Sequence, residues 1–178
     1  MSKKILAFGA SNSSQSINKQ LASFAANQVT DATINLLDLN DFEMPIFSID
    51  REIASGIPQL AQQFKDHIKN ADGIIISFAE HNGAYSTAFK NIFDWISRID
   101  GDVWASKPML LLATSPGARG GITVLEIALN KFKFMNKNTI ASFSLPSFNQ
   151  NFSIEGGIVE EILAKTFEEQ LKLFRESL

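Results

Sequence analysis

The sequence predicts an α/β chain folded as a three-layer sandwich, with a five-stranded parallel sheet and helices on both faces. Three observations predict it. Short continuous apolar runs alternate five times with longer stretches of helical spacing, and parallel strands buried on both faces read as such runs. Repeated alternation of strand and helix calls for right-handed crossovers, which lay helices on both sides of one sheet. The length of 178 residues suits a single domain spanning 1–178, because a chain near this size buries roughly 70% of its unfolded surface without a metal or disulfide staple.

The elements follow in order. Ile5 to Phe8 is the first buried strand, and Ile17, Leu21, Phe24 and Ala25 then recur at helical steps in a helix running to about Val29. Ile34 to Leu39 is the second strand. After a long connection, Leu60, Ala61, Phe64 and Ile68 mark a second helix, opened by Pro58 near its first turn. Gly73 to Phe78 is the third and most apolar strand, and Ala88, Phe89, Ile92, Phe93 and Ile96 form the buried face of a third helix. Pro108 opens a fourth strand, Met109 to Ala113, and Gly120-Gly121 leads into a helix carrying Ile122, Leu125, Leu129 and Phe132. Thr139 to Leu145 is the fifth strand, and the last helix places Val159, Leu163, Phe167, Leu171 and Phe174 on one face.

Composition narrows the function. The chain is 45% hydrophobic and 20% charged, ordinary for a globular protein. A net charge of −3 with scattered Lys and Arg offers no stripe for nucleic acid. There is no cysteine, which excludes thiol nucleophiles, thiolate metal sites and a protein-borne redox couple, so redox work would belong to a cofactor. No apolar run approaches the ~20 residues that span a bilayer, and the start of the chain does not read as a signal peptide. The expected location is the cytoplasm. Fifteen Phe stand against one Tyr; most should be core, including Phe143, Phe148 and Phe152, which an interface would also suit.

Ligands of open parallel sheets bind outside the carboxyl ends of the strands, where strand order reverses. Three loops belong there. The first, Gly9 to Asn18, is rich in Ser and Asn and opens the first helix. A helix start offers unpaired N–H groups and a positive dipole end, and Ser hydroxyls complete a cradle for phosphate. The glycine patterns for dinucleotides, for nucleoside triphosphates and for a nucleophile elbow are all absent from it. The competing reading makes Ser16 an ordinary helix cap and the other serines solvated turn residues.

The second loop, Ala79 to Thr87, holds a tight-turn pair in Asn82-Gly83 and a flat ring in His81 that suits a heterocycle. The bland alternative is a solvated loop histidine, and His67 alone gives it no partner for a metal site. The third loop, Ala113 to Gly121, has Gly117, Gly120 and Gly121 within five positions, allowing a backbone close to a ligand edge. A flexible loop ending in a helix cap is its alternative. The conjunction of three such loops on one edge is more specific than any member.

With these residues in view, the chain resembles the NADPH-dependent FMN reductase family, flavodoxin-like enzymes that include azo and quinone reductases. Ala10 to Asn18 is similar to the family's G-S-x-R-x-x-S-x-N phosphate loop, Ala79-Glu80-His81-Asn82 to its P-E-Y-N segment, and Lys90-Asn91-Ile92-Phe93-Asp94-Trp95 to its K-N-x-x-D-W. Ser115-Pro116-Gly117 with Gly120-Gly121 is similar to its loop near the flavin ring. The resemblance implies FMN as cofactor, NADPH or NADH as co-substrate, and a flavin, quinone or azo compound as acceptor. It assigns phosphate contacts to Ser11, Ser16 and Asn18, counts Ser13 and Ile17 of the same loop among the cofactor-binding residues, and assigns ring contacts to Ala79 through Gly83 with Ser115, Gly117 and Gly120. No catalytic acid, base or nucleophile and no metal is implied; Asp94 and Trp95 take structural roles, and Lys90 and Asn91 beside them are not counted in the site. Ser13 stands where the family has Arg, Ala79 where it has Pro, and His81 where it has Tyr. A homodimer or tetramer is also implied. Two other readings stay open: a non-enzymatic flavodoxin-like electron carrier, and a relative of this fold that has lost flavin.

Overall fold

A computed structural model describes residues 2–178. In chain order the elements are β1 (Lys3–Ala10), α1 (Ile17–Asn27), β2 (Ala32–Leu37), α2 (Ile49–Ser55), α3 (Gln59–Asn70), β3 (Gly73–Phe78), the two-residue strands β4 (Glu80–His81) and β5 (Ala84–Tyr85), and α4 (Thr87–Ile96). Then come β6 (Met109–Thr114), α5 (Ile122–Met135), β7 (Ile140–Leu145), α6 (Phe148–Asn151), the short pair β8 (Phe152–Ser153) and β9 (Gly157–Ile158), and α7 (Glu161–Glu176). The main sheet is ordered β2-β1-β3-β6-β7, every pairing parallel. Strand order therefore reverses between β1 and β3, the switch point of a flavodoxin-like sheet.

Period-two alternation along the central strands divides the core in two. Leu6, Phe8, Ile74, Ile76, Phe78 and Leu111 face the layer of α3, α4 and α5. Ile5, Ala7, Ile75, Leu110 and Leu112 face α1 and α7. This is the predicted three-layer sandwich. Most of the phenylalanines fill these layers: Phe93, Trp104 and Phe132 pack with centroids 4.7–5.8 Å apart. Phe143 and Phe148 are buried, and Phe152 stacks on Phe148 at 4.7 Å, so the core reading holds for that trio.

Three boundaries differ from the sequence reading. Strand β2 ends two residues early, because the Asp38 carboxylate accepts from Asn40 N–H at 2.9 Å and turns Leu39–Phe42 into a 3₁₀ segment. Val159 lies outside the last helix and is exposed; Glu160 caps that helix by accepting from Ile162 and Leu163 N–H. Helix α2 occupies part of the long connection and buries none of its residues. At the other edge of the sheet from the loops of interest, the fully buried Lys65 donates to the main-chain carbonyls of Asp102 and Val103 and stands 3.7 Å from Asp100.

Two devices fix the start of α1 against the carboxyl ends of the strands. A Cβ at Gly9 would sit 2.4 Å from the main-chain nitrogen of Lys19, so glycine lets the helix press directly on β1. The Asn18 side chain, 3% exposed, then latches three elements. Its Oδ1 accepts from Ser77 Oγ at 2.7 Å and from Thr114 N–H at 3.1 Å, and its Nδ2 donates to the Thr114 carbonyl at 3.1 Å. Removing this amide strands a buried hydroxyl and a buried main-chain pair, each worth about 1–3 kcal/mol when unpaired. Asn18→Ala is expected to lower unfolding stability by about 3 kcal/mol, read as a lower urea midpoint with an unchanged slope.

Candidate active site at the carboxyl edge of the sheet

The loop from β1 to α1 is short and hydroxyl-rich, and its own polar groups organise it. Ser13 N–H donates to Ser11 Oγ at 3.1 Å, Gln15 N–H to Ser13 Oγ at 3.3 Å, and Ser16 N–H to the Ser13 carbonyl at 3.2 Å. Ser16 caps α1, accepting from Lys19 N–H at 3.1 Å, as the competing reading of the sequence holds. Ser11 and Ser16 are buried, whereas Ser13 is exposed. Among the described residues, no protein acceptor lies within hydrogen-bond reach of the N–H groups of Asn12, Ser14, Ile17 and Asn18. A concave loop of unpaired donors at a helix N-terminus is the arrangement that holds a phosphate. Three of the four hydrogen-bonding valences of the Asn18 amide are spent inside the protein, which leaves its main-chain N–H as the unpaired group at this position.

Lys19 follows within one turn but does not neutralise the loop. Its Nζ lies 2.5 Å from the Asp38 carboxylate, and that contact, with the Asn40 N–H, holds the Asp38 carboxyl below its usual range. The polar groups this loop has free are hydroxyls and main-chain amides.

The loop after β3 is a two-residue hairpin, with Glu80 opposite Tyr85 and His81 opposite Ala84. Asn82 and Gly83 have φ of 52° and 75°, the double positive φ of a type I′ turn, which Asn-Gly favours. Both ends of this hairpin are tied down. Glu80 Oε2 accepts from Val124 N–H at 3.1 Å, capping α5, whose N-cap Gly121 has no side chain to do so. Tyr85 packs edge-on to Phe89 at 5.1 Å, and burial pushes its phenol pKa up. Ser86 closes the loop: its Oγ donates to the Ala10 carbonyl at 2.8 Å and accepts from Phe89 N–H at 3.2 Å. Ala79 is buried, and His81 and Asn82 are exposed.

The third loop leans on its neighbour. The Gly117 carbonyl accepts from Gly120 N–H and from Ser147 N–H, and Phe148 N–H donates to the Ser115 carbonyl at 3.0 Å. Gly120 has φ of 59°, and a Cβ there would meet Ser144 Oγ at 2.5 Å. Its glycine is therefore required by the segment after β7, while Gly117 and Ser115 remain near the rim.

A cleft of about 330 Å³ opens between the first loop, the segment 39–46 and the start of α4. Asn12, His81, Ser86, Thr87 and Asn91 give it a polar side, and Phe42, Met44 and Ile46 an apolar one. Asn91 and Trp95 hold the apolar wall. Asn91 Oδ1 accepts from Phe47 N–H at 2.8 Å, its Nδ2 donates to the Met44 carbonyl at 3.1 Å, and Trp95 Nε1 donates to the Pro45 carbonyl at 2.7 Å. Lys90 and Asp94 pair on the outer face of the helix at 2.7 Å. Asp94 and Trp95 thus have structural partners, as expected, and so do Lys90 and Asn91.

The structure brings the three expected loops to one edge. Sequence reasoning missed Ser77 and gave no role to Thr114 and Ser86, which lie within the second and third loops it singled out; all three lock those loops together. Ser77 carried a signal, as the lone hydroxyl in an otherwise apolar strand.

The model of the NADPH-dependent FMN reductase family matches residues 3–150, from β1 to the helix after β7. The chain is 30% identical to an NADPH:quinone oxidoreductase of Arabidopsis thaliana over 134 residues, 72% of this chain and 66% of that one. It is 36% identical to a 2-hydroxy-1,4-benzoquinone reductase of a Burkholderia species over 122 residues, 67% of this chain and 64% of that one. The matched stretch thus spans just under two thirds of either relative. Among solved structures, FerB, a flavoenzyme NAD(P)H:(acceptor) oxidoreductase from Paracoccus denitrificans, superposes with a TM-score of 0.77 at 22% identity, covering 98% of this chain and 96% of that one. Sequence match, sheet order and the three loops agree, and the chain belongs to the NADPH-dependent FMN reductase family.

Proposed function

We propose that this chain, as one flavodoxin-like domain, is an FMN-dependent oxidoreductase that takes a hydride from NADPH or NADH and delivers it to a small acceptor such as a flavin, a quinone or an azo compound. The observation that carries the reading is the set of unpaired N–H groups at the start of α1, facing the edge where the other two loops end. The residues present fit a flavin mononucleotide. The N–H groups of Asn12, Ser14, Ile17 and Asn18, with the hydroxyls of Ser11, Ser13 and Ser16, would hold the phosphate, and Gly9 lets the helix start come close enough to do so. Ala79, Glu80, His81, Asn82 and Gly83 would border the ring on one side, and Ser115, Gly117 and Gly120 on the other.

When bound, the flavin supplies the hydride chemistry, so the chain needs no nucleophile of its own. Main-chain N–H groups of the hairpin, held by its I′ turn, would favour negative charge developing beside them because they need no reorganisation during the reaction. The cleft beside the hairpin would admit nicotinamide and acceptor in turn, its apolar wall suiting a planar ring. The homologous quinone reductases support a quinone as acceptor. A second reading, an electron carrier that takes electrons from a partner protein, is favoured by one observation: the phosphate loop is uncharged, as the sequence of flavodoxin-like carriers permits.

We place the protein in the cytoplasm as a homodimer. No helix among the described residues is long and apolar enough to cross a membrane. The support for a dimer is α2 with its flanks, where Ile49 and Ile53 are exposed one helical turn apart and Ile46 and Ile57, just outside the helix, are exposed as well. Glu52, one turn on from Ile49, is tied to Arg98 at 2.9 Å, which leaves the exposed isoleucines beside it free to meet a partner. A seven-residue helix with nothing buried needs a partner to persist.

Two measurements test these readings. Anaerobic NADPH or NADH added to FMN-loaded protein is expected to bleach the flavin absorbance within seconds; an unchanged spectrum with both would leave the carrier. In sedimentation, Ile53→Asp is expected to convert the dimer to a monomer with an unaltered far-ultraviolet spectrum, whereas a wild-type protein already monomeric at micromolar concentration refutes the dimer.

A further inference from the structure

We propose that His81 is the general acid that completes acceptor reduction, protonating the oxygen that receives electrons from the hydride; this rests on the oxidoreductase reading above. A quinone that accepts a hydride at one carbonyl pushes an electron pair through its ring onto the opposite oxygen. There the N–H bond of an imidazolium breaks and an O–H bond forms, giving hydroquinone and a neutral imidazole that regains its proton from water. The hydride comes from the flavin cofactor, so atoms and charge balance. A positioned acid contributes about 10²–10⁴-fold to such a step.

Geometry singles out His81. It lines the cleft with Asn12, Thr87 and Asn91, facing a wall that includes Met44 and Ile46. Its mount is fixed: the I′ turn follows it, Glu80 is spent on Val124 N–H, and the cross-strand neighbour Ala84 leads into Tyr85, anchored in the aromatic core. Histidine is the side chain whose charge changes nearest neutral pH. The other charged groups around it are accounted for. Lys90 on α4 is paired with Asp94, Arg119 donates to Thr123 Oγ at 2.8 Å, and the Tyr85 hydroxyl is buried with no partner. Glu43, on the segment that forms the apolar wall, is the one other titratable residue lining the cleft.

The test uses the flavin-loaded protein, reduced anaerobically by NADPH and mixed with a small benzoquinone or with ferricyanide, which takes one electron and no proton. The ratio of the two rates isolates the proton. In His81→Gln this ratio is expected to fall about 100-fold below wild type at neutral pH and to lose its pH dependence, while Glu43→Gln keeps that dependence. In the flavin-free protein, hydroquinone is expected to shift the His81 ring signals in a proton NMR titration. A ratio and pH profile unchanged in His81→Gln, loss of the pH dependence in Glu43→Gln instead, or ring signals indifferent to hydroquinone would each overturn the proposal. Failure of the underlying reading shows separately and earlier, as wild-type protein that takes up no flavin or is not reduced by the nicotinamide, and would take this proposal with it.

Discussion

The carboxamide of Asn18 is the interaction on which the rest of this edge depends. It sits in the first turn of α1 yet bonds to Ser77 at the end of β3 and to both main-chain groups of Thr114 at the end of β6. One side chain thereby sets the height of the helix start relative to two strands and so relative to the loops that leave them. Since it is buried, each bond is made in a medium where an unmade one is costly. Ser86 repeats the device from the other side, joining the Ala10 carbonyl to the start of α4. The three loops therefore form one rigid rim.

That rigidity matters because the rim carries little charge of its own. With Lys19 committed to Asp38, a phosphate at the first loop would be stabilised by oriented amides and the helix dipole, which are effective only when they are already aimed. A mobile loop would have to be ordered at each binding event, and the entropy of ordering would offset most of what neutral donors return. The neutral cradle and the buried latch beneath it are thus two parts of one solution.

Much of this was legible in the sequence. The five apolar runs gave the sheet because parallel strands covered on both faces cannot hide their composition. The Ser-rich loop was found from its place between a strand and a helix. What stayed hidden depends on contacts distant in sequence: Asn18 reads as a loop-proximal ligand until Thr114, 96 residues away, is seen to occupy its side chain. Helix α2 was missed for a different reason. Its isoleucines Ile49 and Ile53 repeat at helical spacing, but both are exposed and none of the helix is buried, so no core-facing pattern led to them. The glycines of the third loop read as room for a ligand, whereas Gly120 makes room for Ser144.

The central claim, that a phosphate is gripped by amides and hydroxyls at the start of α1 without a cation, is tested most directly by titrating the flavin-free protein with FMN and with riboflavin, which share a ring and differ in the phosphate. The account predicts one FMN per chain, bound at least ~100-fold more tightly than riboflavin. Equal affinities for the two, or uptake of neither, would contradict it.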